Sequence, residues 1–418
     1  MPSSTLASSP ARSGKKSGKR EALLQEAARQ IIERGAGALN LNDIAETVGL
    51  SRNTLYYYVS DRFELLFLCY LRSCEVMAAD IDAAVENGSG PTEQLVLVIE
   101  KIFAREGAPL ALLSDLDVLP DPQRSTIAEL NQRNIDTIAR LIRDGVAAGQ
   151  FRPVNTVIAA QCLMGMIGWA RMSSIWLGLS DSLRTRRKTA LAISDLILNG
   201  IAARPDPVFH CSIDIARLDA RPFNAFDKAQ ASEEKANQLI NAASRLFNRR
   251  GCDGASLDDV SASVGATKGA IYHYFEGKND LVTRCYERAF CLYVNFVDTA
   301  LEWGDSGLEQ ALHVVHLNCQ AQAGANPPLM PQPGLFTLPD QTRQELIGKA
   351  RAVWASCQKM IDLGIADGSV RNVSSSTVTM AVTGAFLWLP KWLPAAGADN
   401  PMRLADQICD IMRDGLLL

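Results

Sequence analysis

Four histidines are all that the 418 residues contain, and none of the ten cysteines forms a C-x-x-C pair. Zinc-finger and dithiol redox spacings are therefore absent. Free thiols in a reducing cytoplasm are the simplest expectation. His313 and His316, at i and i+3, are the one candidate metal pair. No carboxylate stands beside them, so they are expected on a solvated helix face and no metal is assigned. The chain also lacks a Gly-rich phosphate loop, a nucleophile elbow and a paired-carboxylate site, which leaves no enzyme or cofactor motif. The first residues have no apolar core after their basic ones, so no signal peptide is expected. The uncharged stretch 372–390 is polar over its first third and ends at Pro390. It predicts a buried helix, not a membrane span. A formal net charge of −4 excludes a global basic signal. It does not exclude nucleic acid, for which local clustering on one face decides.

What the chain does contain is itself, twice. "LNLNDIAETVGLSRNTLYYYVSDRFEL" (39–65) is echoed by "ASLDDVSASVGATKGAIYHYFEGKNDL" (255–281) at a shift of 216 residues. Downstream, "GVAAGQFR" (145–152) is echoed by "GIADGSVR" (364–371) at a shift of 219, which also pairs Gly165 with Gly384 and Trp169 with Trp388. Such self-similarity over most of a chain is a duplication, and it governs the fold prediction. Apolar residues recur at three and four in both halves, as in Leu23, Leu24, Ala27, Ala28, Ile31 and in Leu239, Ile240, Ala243, Leu246, Phe247. Strand-like alternation is nearly absent, so the fold class predicted is all-α. Three prolines and an irregular pattern mark 204–232 as a linker.

The run Leu55-Tyr56-Tyr57-Tyr58-Val59 has strand propensity, but neither half offers a partner strand. Helices fit both copies. Asn40 and Ser256 are N-caps, with Asp43 and Asp259 at the capping-box position. A short helix follows and ends at Gly49 or Gly265, where a tight turn needs positive φ. Ser51 and Thr267 then cap a second helix carrying the aromatics. This is a helix-turn-helix. "TLYYYVSDRFEL" and "AIYHYFEGKNDL" follow the pattern of the TetR family of transcriptional repressors, which each half resembles most closely at its N-terminal end.

The resemblance implies roles for particular residues. Tyr56 and Tyr272 would donate to phosphate oxygens, Tyr57 and His273 would face bases in the major groove, and Arg62 and Lys278 would bind phosphate. Asn42, Ser51, Arg52, Asn53 and Thr54 in the first copy, and Thr267, Lys268, Gly269 and Ala270 in the second, complete the candidate DNA-contacting positions. Val59 and Phe275 would turn inward. For Tyr58 and Tyr274, core packing and DNA contact both stay open. Arg12, Lys15, Lys16, Lys19 and Arg20 would form a basic flexible arm over 1–20. The domains expected are helix-turn-helix units at 21–67 and 233–283, and C-terminal helical domains at 68–203 and 284–418.

By the same resemblance, the C-terminal domains would hold a ligand pocket and a dimerisation face. The last two helices of each half would form a four-helix bundle, with Gly165 and Gly384 at close crossings. Trp169, Trp176, Trp388, Trp392, Met164, Met166, Met172 and Met380 are core by default or cavity lining. No charged cluster marks a polar ligand, so an apolar or amphipathic small-molecule effector is expected. The partner would be a double-stranded DNA operator, asymmetric because the two recognition helices differ, and released by the effector. Two fused halves can supply both protomers of an intramolecular pseudo-dimer; a homodimer of two chains is the alternative. Other uses of the scaffold are an activator, a thiol redox sensor built on Cys69, Cys74, Cys285 and Cys291, or a helical enzyme that has lost DNA binding.

Overall fold

The apolar spacing of the first segment buries Leu23, Leu24, Ala27, Ala28 and Ile31 on one face of α1 (Pro10–Arg34). The computed structural model describes residues 10–105, 110–178, 182–204, 209–218, 228–333, 335–394 and 397–418. Pro10 opens α1 at a position that tolerates a missing N–H, and extending a nucleated helix costs little per residue. The backbone of residues 10–20, on which most of the expected basic arm falls, is helical. Residues 1–9 lie outside the described residues.

The first half continues with α2 (Leu41–Thr47), α3 (Arg52–Tyr56), α4 (Arg62–Asn87), α5 (Pro91–Ala104), α6 (Gln123–Ala147), α7 (Thr156–Leu177) and α8 (Leu183–Asn199). After the short connecting α9 (Ile215–Leu218), the second half repeats the order as α10 (Lys228–Gly254), α11 (Leu257–Ser263), α12 (Lys268–Tyr274), α13 (Lys278–Trp303), α14 (Gly307–Ala323), α15 (Asp340–Asp367), α16 (Ser375–Leu387), α17 (Leu389–Trp392) and α18 (Pro401–Asp414). Among the described residues there is no strand. Two isolated bridges pair Phe151 with Leu417 and Ala202 with Val370, so both join one half to the other.

The halves meet through α7, α8, α16 and α18, which form the expected four-helix bundle. At its centre α7 and α16 cross on glycine. A methyl on Gly165 would stand 2.5 Å from the Gly384 carbonyl oxygen, and one on Gly384 would stand 2.6 Å from Met166 Cα. Two reciprocal clamps flank the crossing. Arg152 donates from Nε to the Gly415 carbonyl at 2.6 Å and from Nη1 to Asp410 at 2.7 Å. Arg371 makes the mirror-related contacts to the Gly200 carbonyl at 2.6 Å and to Asp195 at 2.5 Å. Gly200 and Gly415 have φ of 61° and 68°, and an added Cβ on either would strike the backbone of the opposite turn. The chain thus buries its own dimerisation face.

The described part of the linker is docked. Cys211 and Ile213 are buried, and Gln320 on α14 donates to the Ile213 carbonyl at 2.8 Å while accepting from Ile215 N at 3.1 Å. This covers a face of α14 and corrects the expectation for its histidines, since His313 and His316 are both buried. Gln320 donates to His316 Nδ1 at 2.9 Å, which leaves Nε2–H to donate to Asp406 at 3.0 Å. Burial holds both imidazoles below their ordinary pKa.

We expect the intact protein to sediment near 45 kDa at low micromolar concentration, the mass of one chain. A species of twice that mass would refute the self-contained bundle. Replacing Arg152 and Arg371 together by alanine strands two turn carbonyls and should cost about 2–4 kcal/mol in denaturant unfolding.

Candidate nucleic-acid interface

Local chemistry builds the two helix-turn-helix units by slightly different means. Asn40 Oδ1 accepts from the backbone N–H groups of Asn42 and Asp43 at 2.9 and 3.4 Å. Asp43 does not complete a capping box there; it faces Arg34 at 3.6 Å. Ser256 and Asp259 do form the reciprocal box. The turns pass through Gly49 and Gly265 at φ of 65° and 67°. Ser51 caps α3 through Thr54 N at 3.2 Å, whereas Thr267 occupies the N-cap position of α12 without a side-chain cap bond, contrary to expectation.

On α3 and its C-terminal turn, Tyr56 is 46% and Tyr57 65% exposed; on α12 Tyr272 is 52% exposed and His273 is also exposed. Val59 and Phe275 are buried. Tyr58 and Tyr274 are partly buried against the cores, each edge-on to its neighbour: Tyr57–Tyr58 at 5.4 Å and His273–Tyr274 at 4.8 Å. Asn42, Arg52, Asn53 and Arg62 are exposed beside the first pair, with the Arg52 guanidinium 5.8 Å from the Tyr56 ring centre. Thr54 is half-buried, and its hydroxyl engages that of Ser51 at 2.8 Å. In the second unit Thr267 and Gly269 are exposed and Ala270 is half-buried. Lys268 begins α12, but its side chain lies outside the described residues. Lys278 differs from Arg62: it is half-buried, and its Nζ approaches the Asp253 carbonyl at 3.4 Å.

The two units touch directly. The corner between α1 and α2 packs on the end of α10, and a methyl on Gly37 would stand 2.6 Å from Gly254 N. Asp115, 1% exposed, lies at this junction. Its Oδ2 accepts from Ala36 N at 3.0 Å, and its carboxyl lies where a Cβ on Gly251 would be, 2.9 Å away. Lys391 of α17 faces its Oδ1 at 3.6 Å and donates to the Ser114 carbonyl. Burial pulls the Lys391 pKa down and Asp115 opposes the shift. Two residues on, Asp117 accepts from Arg249 Nε of α10 at 2.7 Å.

Behind this junction is a cavity of about 350 Å³, whose walls include Met77, Ile135, Met164, Ile167, Trp388 and Trp392. Arg124, Arg171, Arg249 and Lys391 also line it. This charged group was missed in the sequence because four separate helices supply it. One signal was available: Arg171 is the single charged residue of α7. It donates to the Leu110 and Ile102 carbonyls at 2.9 and 3.5 Å. Trp176, Met166, Met172 and Met380 are core instead, and Trp169, also buried, borders the smaller space of the second half.

All ten cysteines are free, and Cys69, Cys74 and Cys285 are buried. Desolvation raises each of these three thiols to about 12, which removes the thiolate needed for redox sensing. Cys291 is exposed. A maleimide probe at neutral pH should label Cys291 in the native protein and spare Cys69, Cys74 and Cys285; rapid native labelling of those three would revive the redox reading.

Two family descriptions match, each twice. That of bacterial regulatory proteins of the tetR family matches residues 23–67 and 239–285. That of the tetracyclin repressor-like C-terminal domain matches 88–172 and 334–416. The Transposon Tn10 TetC protein of Escherichia coli is 34% identical over 61 residues, 15% of this chain and 31% of that protein. The HTH-type transcriptional regulator TtgR of Pseudomonas putida is 44% identical over 55 residues, 13% of this chain and 26% of that one. The icaADBC negative transcriptional regulator IcaR of Staphylococcus epidermidis is 31% identical over 61 residues, 15% and 33% respectively. The chain therefore spans at most 33% of the length of these curated relatives. Among solved structures, a TetR-family regulator from Bordetella parapertussis is 23% identical with a TM-score of 0.37, covering 44% of this chain and 96% of that one. AibR, solved with isovaleryl coenzyme A and operator DNA, is 19% identical with a TM-score of 0.36, covering 42% and 96%. Both family matches recur in the same order in the two halves, so this chain belongs to the tetR family of bacterial regulatory proteins, as a tandem duplication of its two-domain unit.

Proposed function

We propose that the protein is a sequence-specific DNA-binding transcriptional repressor, acting in the cytoplasm and released from its operator by a small molecule. The observation that carries this reading is the pair of exposed helix faces, Tyr56–Tyr57 and Tyr272–His273, held together by contact between the two helix-turn-helix corners. Tyr56 and Tyr272 anchor phosphates. Tyr57 and His273 reach base edges, as do Arg52 and Asn53 in the first unit. Arg62 adds a phosphate contact that Lys278 supplies only by leaving the Asp253 carbonyl. No catalytic step is assigned. Among the described residues no helix is long and apolar enough to cross a membrane.

Regulation runs through the segment from Leu110 to Asp117. It lines the cavity, holds the first unit by Asp115–Ala36 and holds the second by Asp117–Arg249. A ligand that favours a shifted position of this segment moves both units, and two helices must sit in successive major grooves about 34 Å apart to bind together. The bound population then falls by the ligand's differential affinity for the two states.

The two reading surfaces are chemically unequal. Arg52 can hold a guanine bidentately and Asn53 can pair with adenine, whereas Gly269 and Ala270 have almost no polar reach. Selection from random DNA should enrich an operator with two dissimilar half-sites, the first read more strictly; a perfect palindrome would defeat this. Arg52→Ala should cost roughly 1–3 kcal/mol and relax one half-site only, while Arg62→Ala should weaken all sequences alike and reduce the salt slope by about one. Absence of any gel shift by the intact protein at low salt would sink the DNA-binding reading itself.

A further inference from the structure

The duplication predicts two equivalent effector cavities, and among the described residues only the first-half site is open. At the shift of 216, Cys74 and Met77 correspond to Phe290 and Tyr293; at 219, Ile135 and Ile167 correspond to Trp354 and Phe386. In the first half these positions border the cavity of about 350 Å³. In the second half the same positions border a remnant of about 70 Å³. That space holds roughly two waters, whereas ligand pockets begin near 300 Å³. Four aromatic rings have replaced a thiol, a thioether and two aliphatic chains. Gly168, which leaves room against the Trp388 ring 3.3 Å from where its Cβ would lie, corresponds to Leu387.

The surviving cavity is not the property of its own half. Arg249 of α10 and Trp388, Pro390, Lys391 and Trp392 at and after the end of α16 come from the second half. Its lining has unmet polar groups. Trp392 Nε1 and Ser114 Oγ are buried without a hydrogen-bond partner. An indole N–H can only donate, so the missing partner is an acceptor. The lining carries four cations, Arg124, Arg171, Arg249 and Lys391, against the carboxylates of Asp121, Asp117 and Asp115, which face Arg124, Arg249 and Lys391, so the balance is one positive charge. The remaining walls are mostly apolar, with Ser73, Ser125, Asn131, Asn134 and Gln161 interspersed.

We infer that the chain binds one effector, not two, and that this effector is an amphipathic anion: an apolar body along Met77, Ile135 and Ile167, with an acidic head at Trp392, Ser114 and the cations of the second half. This rests on the proposed regulatory reading and deepens it. The second half has turned its own pocket into core and lends its cations to the first. Binding is then non-cooperative within a chain, and a single event reaches both DNA-binding units.

The test is calorimetric titration of the full chain, without DNA, by decanoate and by decanol. We expect one decanoate per chain and at least tenfold weaker binding of decanol. Cys74→Phe with Met77→Tyr, the residue types of the second half, should abolish decanoate binding. Should that pair fail to fold, Gly168→Leu carries the same expectation. Two decanoates per chain, undiminished binding by the blocked variants, equal affinity for decanol, or no decanoate binding at all would each overturn the inference. A chain that shifts operator DNA yet takes up no decanoate would sink this inference and leave the DNA-binding reading standing. One that binds a single decanoate without releasing DNA would do the reverse for the regulatory reading.

Discussion

The contact on which the molecule depends is the crossing of α7 and α16 at Gly165 and Gly384. Backbone lies against backbone there, so neither position accepts even a methyl group without displacement. Everything else that joins the halves follows from that approach. The Arg152 and Arg371 clamps reach turn carbonyls of the opposite half because the helices run that close. Trp388 enters the first cavity and Trp169 borders its counterpart for the same reason. In a homodimer such an interface must be assembled from two chains; here it is reached by a tether, which raises effective concentration without any added contact.

Asp115 and Lys391 show how a duplicated chain can become asymmetric. A buried ion pair gains little by itself, yet losing one partner typically costs about 3–5 kcal/mol because the other charge is stranded. The pair exists once: at a shift of 219, Asp115 corresponds to Gly334, and Lys391 to Met172, which is apolar and buried. The junction it stabilises therefore has a polarity that an ordinary homodimer lacks. Its carboxylate contacts one DNA-binding unit and abuts the other, while its ammonium lines the cavity.

Several expectations failed for reasons of context. His313 and His316 have helical spacing and no neighbouring acid in sequence, which predicts a solvated face. The partners of His316, Asp406 and Gln320, lie on α18 and one turn along α14, and the linker covers both histidines, with Phe209 edge-on to each ring. Thr267 sits at a cap position without making the cap bond, since the residue type sets a preference and local geometry decides whether it is used.

The all-α class, the duplication, both helix-turn-helix units and the inward turn of Val59 and Phe275 were legible from the chain alone. Those features are encoded locally: periodicity at three and four, caps within three residues, a glycine wherever φ must be positive, and a second copy to check each one. The glycine crossing was legible as well, because small residues recur at matched positions. The cavity was not. Its cations come from α6, α7, α10 and α17, separated by up to 267 positions between Arg124 and Lys391. No local pattern marks side chains that converge only when helices pack. Nor could sequence alone decide that one cavity is open and its twin filled, because a phenylalanine in place of a cysteine reads equally as core or as lining until the volume around it is known.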